Sequence, residues 1–206
     1  MNNIKVIVFD LYNTLIEVKE QNHFFLKLFK LSARSFDIEL PSYLKLVMTK
    51  NIEELITILP VEFEGLFSKN HTILEQELDS IIVYKEVYEV LESLKQEFRV
   101  FLISNLASPY KQPVFEKNLA EYFEEMIFSC DYGILKPNQE IFREVERLTK
   151  NKGDEILMIG DSFKSDIVGA KNMNWNYLQI NRQKHSGKEY EIRNLNEIKV
   201  HLENYL

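Results

Sequence analysis

Five short apolar runs punctuate the chain: Ile4 to Phe9, Val100 to Ile103, Met126 to Phe128, Ile156 to Ile159 and Tyr177 to Ile180. The first, second and fourth are almost continuously apolar. Strands buried on both faces, as in a parallel sheet, carry that pattern. Between the runs, apolar residues recur at helical spacing. Val87, Val90, Leu91 and Leu94 do so before the second run, and Ile141, Phe142, Val145 and Leu148 before the fourth. Strands alternating with helices predict an open, doubly wound α/β sheet.

Residues 16–82 follow another pattern, with no strand-like run. Phe24, Phe25, Leu28 and Phe29 form one amphipathic stripe, and Leu44, Val47 and Met48 a second. Ile52, Leu55, Ile56 and Leu59 form a third, closed by Pro60; a fourth runs through Phe63, Leu66, Phe67, Ile73, Leu74 and Leu78. These stripes predict three to five helices packed on one another. The expected organisation is a core of residues 1–15 and 83–206 with a small α-helical cap at 16–82. An insert after the first strand sits over the carboxyl edge of such a sheet, where ligands bind, and reads as a lid.

Composition narrows the field of functions. A chain of 206 residues suits one domain with a small insert. The formal net charge of -7 argues against a nucleic-acid partner, which calls for a basic patch. No apolar run reaches the length of a membrane span. The first strand begins almost at once, leaving no room for a signal peptide, so a cytoplasmic protein is expected. The single cysteine, Cys130, excludes an internal disulfide and a thiolate metal cluster. His23, His71, His185 and His201 are dispersed without ligand spacing, and Trp175 reads as packing.

Four polar clusters follow the apolar runs: Asp10-Leu11-Tyr12-Asn13-Thr14, Ser104-Asn105, Lys136-Pro137, and Gly160-Asp161-Ser162 through Asp166. In a doubly wound sheet parallel strands point one way, so all four clusters line one edge. Singly, each is a common turn or cap. Together they suit a phosphoryl group. Asp10 offers a carboxylate nucleophile. Asp161 and Asp166 are hard oxygen ligands suited to Mg²⁺, which would neutralise repulsion between nucleophile and phosphate. Thr14, Ser104 and Asn105 donate hydrogen bonds to the anion, and Lys136 adds positive charge. Ser108-Pro109 reads as a helix start, N-cap then first position, aimed at the same anion site.

In this order the clusters resemble the motifs of the haloacid dehalogenase superfamily. The segment Ser129-Cys130-Asp131-Tyr132-Gly133-Ile134-Leu135-Lys136-Pro137 is similar to its lysine motif. Ile159-Gly160-Asp161-Ser162 through Asp166-Ile167-Val168-Gly169-Ala170 is similar to its acidic motif. The resemblance implies a Rossmann-like core, a nucleophilic Asp10 and a Mg²⁺-dependent phosphatase for a small phosphorylated metabolite. It also implies that Asp10, the Tyr12 backbone carbonyl, Asp161 and Asp166 hold the metal.

One position departs from the phosphatase pattern. Most phosphatases of the superfamily carry a second aspartate two residues after the nucleophile as general acid and base; here it is Tyr12. A phenol, with an ordinary pKa near 10, is a poor substitute, and such acid-base help is typically worth about 10² to 10⁴ in rate. Phe9-Asp10-Leu11-Tyr12-Asn13-Thr14-Leu15 instead resembles the first motif of the metal-independent L-2-haloacid dehalogenases, with Asn13 where they usually have glycine. Three later positions depart from that branch: Asp161 where it usually has serine, Phe163 where it has asparagine, and Phe142 where it tends to have tyrosine. Its substrate arginine would have to be Arg34, the only arginine in the insert. The acid pair outweighs Tyr12, so phosphatase chemistry is favoured over dehalogenation. A low-turnover binding or regulatory protein is the third reading.

Overall fold

The computed structural model describes residues 3–33, 35–183 and 186–204. Arg34 and His185 lie outside them. The first strand, β1, spans Val6–Phe9. A short strand β2, Ile16–Val18, follows. Five helices come next: α1 Phe24–Leu31, α2 Leu40–Thr49, α3 Ile52–Ile58, α4 Glu62–Lys69 and α5 His71–Asp79. Strand β3, Ile81–Val83, closes this segment.

The rest alternates between helix and strand. In order come α6 Val87–Leu94, β4 Arg99–Ser104, α7 Gln112–Glu116, β5 Glu125–Phe128, α8 Ser129–Tyr132 and α9 Gln139–Thr149. Then come β6 Ile156–Gly160, α10 Val168–Asn172, β7 Asn176–Ile180, β8 Glu191–Ile192 and α11 Ile198–Asn204.

Six strands form one parallel sheet in the order β5-β4-β1-β6-β7-β8. The predicted doubly wound sheet is therefore present, with β1 at its centre. Successive β1 residues feed opposite cores. Ile7 and Phe9 join the larger core, which continues into the helical segment through Phe24, Leu28, Tyr43 and Phe63. Val6 and Val8 join the smaller one with Phe142, Val145 and Trp175. Burial on both faces explains why the strand reads as unbroken apolar sequence.

The structure corrects several expectations. The segment 16–82 does contain strand: β2 and β3 pair antiparallel, joining Ile16 to Val83 and Val18 to Ile81. Each is too short to show alternation; the expected insert, 16–82, starts with β2 and ends within β3. The fourth stripe is two helices, α4 and α5, meeting at Asn70. Strand β8, only two residues long, had no sequence signal. Ser108 is not an N-cap. Ala107 holds that position in extended backbone, and Ser108–Lys111 form a 3₁₀ turn before the short α7.

The helical segment touches loops at the sheet's carboxyl edge. Ser129 Oγ, just past β5, donates to the Met48 carbonyl of α2 at 2.6 Å. The Tyr110 hydroxyl, in the connection after β4, donates to Glu77 Oε2 of α5 at 2.9 Å. Glu77 is buried and also accepts from the backbone N–H groups of His23 and Phe24, at 3.2 and 3.1 Å. It thereby satisfies donors at the start of α1 that the helix itself leaves unpaired.

Candidate active site

Strand register brings the four clusters together. Phe9 lies opposite Leu102 on one side and Ile159 on the other. The next residue, Asp10, is tied by its N–H to the Ile159 carbonyl at 2.9 Å. Ser104 and Asp161 stand at the same edge of the adjoining strands. Because β1 separates β4 from β6, the chain reverses its direction of travel across the sheet here, at the usual ligand site of such a fold.

Asp10 is buried, and both carboxylate oxygens are engaged. Lys136 Nζ contacts Oδ1 at 2.7 Å, and Ser104 Oγ donates to the same oxygen at 3.4 Å. Thr14 Oγ1 donates to Oδ2 at 3.2 Å. Lys136 Nζ also donates to the Ile103 carbonyl at 2.8 Å and lies 2.6 Å from Asp166 Oδ1. Burial works against charge on this lysine, but Asp10 and Asp166 more than offset it, and the ammonium is held protonated.

Asp166 is aimed by local backbone. A π-helical turn spans Phe163–Ile167, and the Ser162 carbonyl accepts from both Asp166 and Ile167 N–H. Asp166 Oδ2 accepts the Ser162 N–H at 2.9 Å. Gly160 makes room: a Cβ there would sit 2.3 Å from Asp166 Oδ2. Such widened turns recur at functional sites.

Asp10, Asp161 and Asp166 each present a carboxylate oxygen, all within 4.8 Å of one another. Three acids face one lysine. Burial first, then the charge of Asp10, pushes the Asp161 carboxyl up to about 6. Burial also raises Asp166, against the pull of Lys136. Surplus negative charge on converging hard oxygens fits a small divalent cation such as Mg²⁺. Among the described residues no hydrogen bond uses the Tyr12 carbonyl, which leaves it available beside them.

Two predicted residues do something other than expected. The Asn105 side chain does not face the anion site as a free donor. Its Nδ2 donates to the Lys136 carbonyl at 3.0 Å, and its Oδ1 accepts the Lys136 N–H at 2.8 Å, so it holds the lysine loop. The Tyr12 hydroxyl donates to the Tyr110 carbonyl at 3.0 Å, and burial first, then Glu77 and Asp10, raise its pKa far above that of an ordinary phenol. It is a packed donor that keeps its proton. Asn13 has φ of 59°, a left-handed conformation that asparagine tolerates, which explains how it replaces glycine. Phe142 packs edge-on against Trp175 and over Gly169, within the smaller core. Sequence reasoning missed Arg182, which grips the loop behind Asp10. A lone arginine after the last long strand carries no local signal.

This fold and constellation place the chain in the haloacid dehalogenase-like hydrolase family, whose sequence profile matches residues 4–174. Among curated relatives, the glyceraldehyde 3-phosphate phosphatase of Pyrococcus furiosus is 33% identical over 87 residues. That match covers 41% of this chain and 36% of the relative, so it spans well under half of that protein's length. Among solved structures, the 2-haloacid dehalogenase of Pseudomonas syringae pv. Tomato superposes with a TM-score of 0.73 at 23% identity, covering 98% of this chain and all of that one. The putative hydrolase YfnB of Bacillus subtilis, bound to magnesium, gives 0.64 at 20% identity, covering 97% of this chain and 98% of that one. At these identities the structural likenesses establish the fold. No helix among the described residues is long and apolar enough to cross a membrane.

Proposed function

We propose that the protein is a Mg²⁺-dependent phosphatase of a small phosphorylated metabolite, working through an aspartyl-phosphate on Asp10. The observation that carries this reading is the convergence of Asp10, Asp161 and Asp166, of which Asp10 and Asp166 share one buried lysine. Clustered buried acids are costly without a cation, and a phosphate ester would bring more negative charge to the same place. Asp10, Asp161, Asp166 and the Tyr12 carbonyl would hold Mg²⁺, which supplies charge neutralisation and orientation of the phosphoryl oxygens.

The chain's own residues do the rest. Lys136 binds Oδ1 of Asp10 and holds the carboxylate for attack on phosphorus. As a carboxylate oxygen of Asp10 bonds to phosphorus, the bond to the leaving ester oxygen breaks, and that oxygen takes its proton from solvent. Water then attacks the phosphorus, releases phosphate and restores the carboxylate. Ser104 and Thr14 hydroxyls stand ready to turn from Asp10 to the bound anion, and Asn105 keeps Lys136 in register. The helical segment over this edge acts as the lid. The phosphatase named among the relatives supports the substrate class.

The test is hydrolysis of a panel of phosphorylated metabolites with and without Mg²⁺, alongside Asp10→Asn. Activity that survives both removals would sink the reading. Metal-independent dehalogenation is the poorer fit because Asp161 and Asp166 are both retained; halide release from 2-chloropropionate without metal would reverse that preference. Tyr12 favours one secondary reading, slow turnover with a binding or regulatory role, because its phenol is a weaker acid than an ordinary tyrosine and donates to the Tyr110 carbonyl instead. Brisk turnover of any metabolite would remove it.

A further inference from the structure

Arg182 stands two residues beyond β7, and its guanidinium meets both chain crossings between the sheet and the helical segment. On the outward crossing, Nη2 donates to the Thr14 carbonyl at 2.6 Å and Nε to the Asn13 carbonyl at 3.3 Å. These residues lie between Asp10 and β2. On the return crossing, Nη1 pairs with Glu86 Oε1 at 2.7 Å, and Cζ lies 3.5 Å from the centre of the Tyr84 ring. Tyr84 and Glu86 lie between β3 and α6. Both members of the ion pair are largely buried, at 15% and 14% side-chain exposure.

The gripped loop is the one that orients the site. Thr14 bonds Asp10 Oδ2, and Asn13 Nδ2 donates to Asp161 Oδ2 at 3.2 Å. Asn13 also holds the left-handed turn, and its carbonyl accepts from Arg182. We propose that Arg182 is a positioning residue that locks the loop behind the nucleophile and couples its geometry to the seat of the helical segment. A planar guanidinium reaches two carbonyls and a carboxylate while its face stacks on Tyr84; an ammonium on a flexible stem cannot meet all four. The activity readout below rests on the proposed phosphatase; the structural readout does not.

The experiment compares wild type with Arg182→Lys and Arg182→Ala by steady-state phosphate hydrolysis and by amide hydrogen exchange. The expected result is a fall in kcat of at least about tenfold in both variants, with KM changing by less than about threefold. Exchange rises at residues 13–16 and 84–87, while β4 and β6 stay protected. Guanidinium ion at tens of millimolar restores part of the kcat of Arg182→Ala and nothing to Arg182→Lys. Exchange and kcat within about twofold of wild type overturn the proposal, as does a loss of protection spread equally over the sheet. If wild type hydrolyses no phosphate ester, the phosphatase reading fails and the exchange pattern still decides the clamp.

Discussion

Lys136 Nζ lies 2.7 Å from Asp10 Oδ1, with the lysine side chain only 1% exposed. The same nitrogen contacts Asp166 Oδ1 at 2.6 Å. The lysine was expected to face the phosphate; in the structure it first neutralises the nucleophile and its neighbour. Lys136→Met would leave two buried carboxylates without a counter-charge. Such uncompensated burial costs about 3–5 kcal/mol. Denaturant unfolding should show that loss. Adding Asp166→Asn to Lys136→Met should recover at least about 1 kcal/mol of it, because the two sites share one interaction. Strict additivity would count against the pairing.

The Asp161 carboxyl, raised to about 6, gives a pH signature. An acid with a higher pKa in the folded state than in the unfolded chain binds more protons when folded. It favours folding at low pH, and that contribution is lost as pH rises from about 4 through about 6. Without Mg²⁺, Asp161→Asn should therefore gain in Tm relative to wild type across that window. Mg²⁺ should raise the Tm of wild type at pH 7 more than at pH 5, since protons compete with the cation. It should do little for Asp161→Asn. A Mg²⁺ effect independent of both pH and Asp161 would contradict the assigned ligand.

Tyr12 donates to the Tyr110 carbonyl and keeps its proton. Tyr12→Phe should leave kcat/KM for phosphate esters within about threefold of wild type, far below the 10² to 10⁴ expected for loss of a general acid. A hundredfold fall would restore the phenol to the chemistry. Tyr12→Asp should raise the rate on alkyl phosphates if a missing acid limits the natural protein.

Gly160 is spaced for Asp166. In Gly160→Ala the new methyl meets the Asp166 carboxylate at 2.3 Å, so that side chain must shift and its contacts to Ser162 N–H and Lys136 suffer. Overpacking of this kind costs about 1–3 kcal/mol. Thermal unfolding should detect it, and Mg²⁺ affinity should fall with it. Unchanged Mg²⁺ affinity would mean that Asp166 is not needed by the cation.

The apolar runs, their helical partners and the place of Asp10 were legible in the sequence. Burial on both faces of a strand is written locally, as in Val6 to Phe9, and the polar residue or glycine after each run marks the strand's end. The short ribbon of β2 and β3 was not legible, because three residues on each side draw their stability from each other. Partnership at the site was decided by the tertiary structure. Lys136 meets Asp10 across 126 positions of chain, and Arg182 meets Thr14 across 168. Those contacts exist only because β1 is seated between β4 and β6, with β7 beside β6. Tyr12 and Asn105 show the same limit: residue type and position were readable, but the direction of a hydrogen bond depends on which carbonyl the packed chain brings within reach.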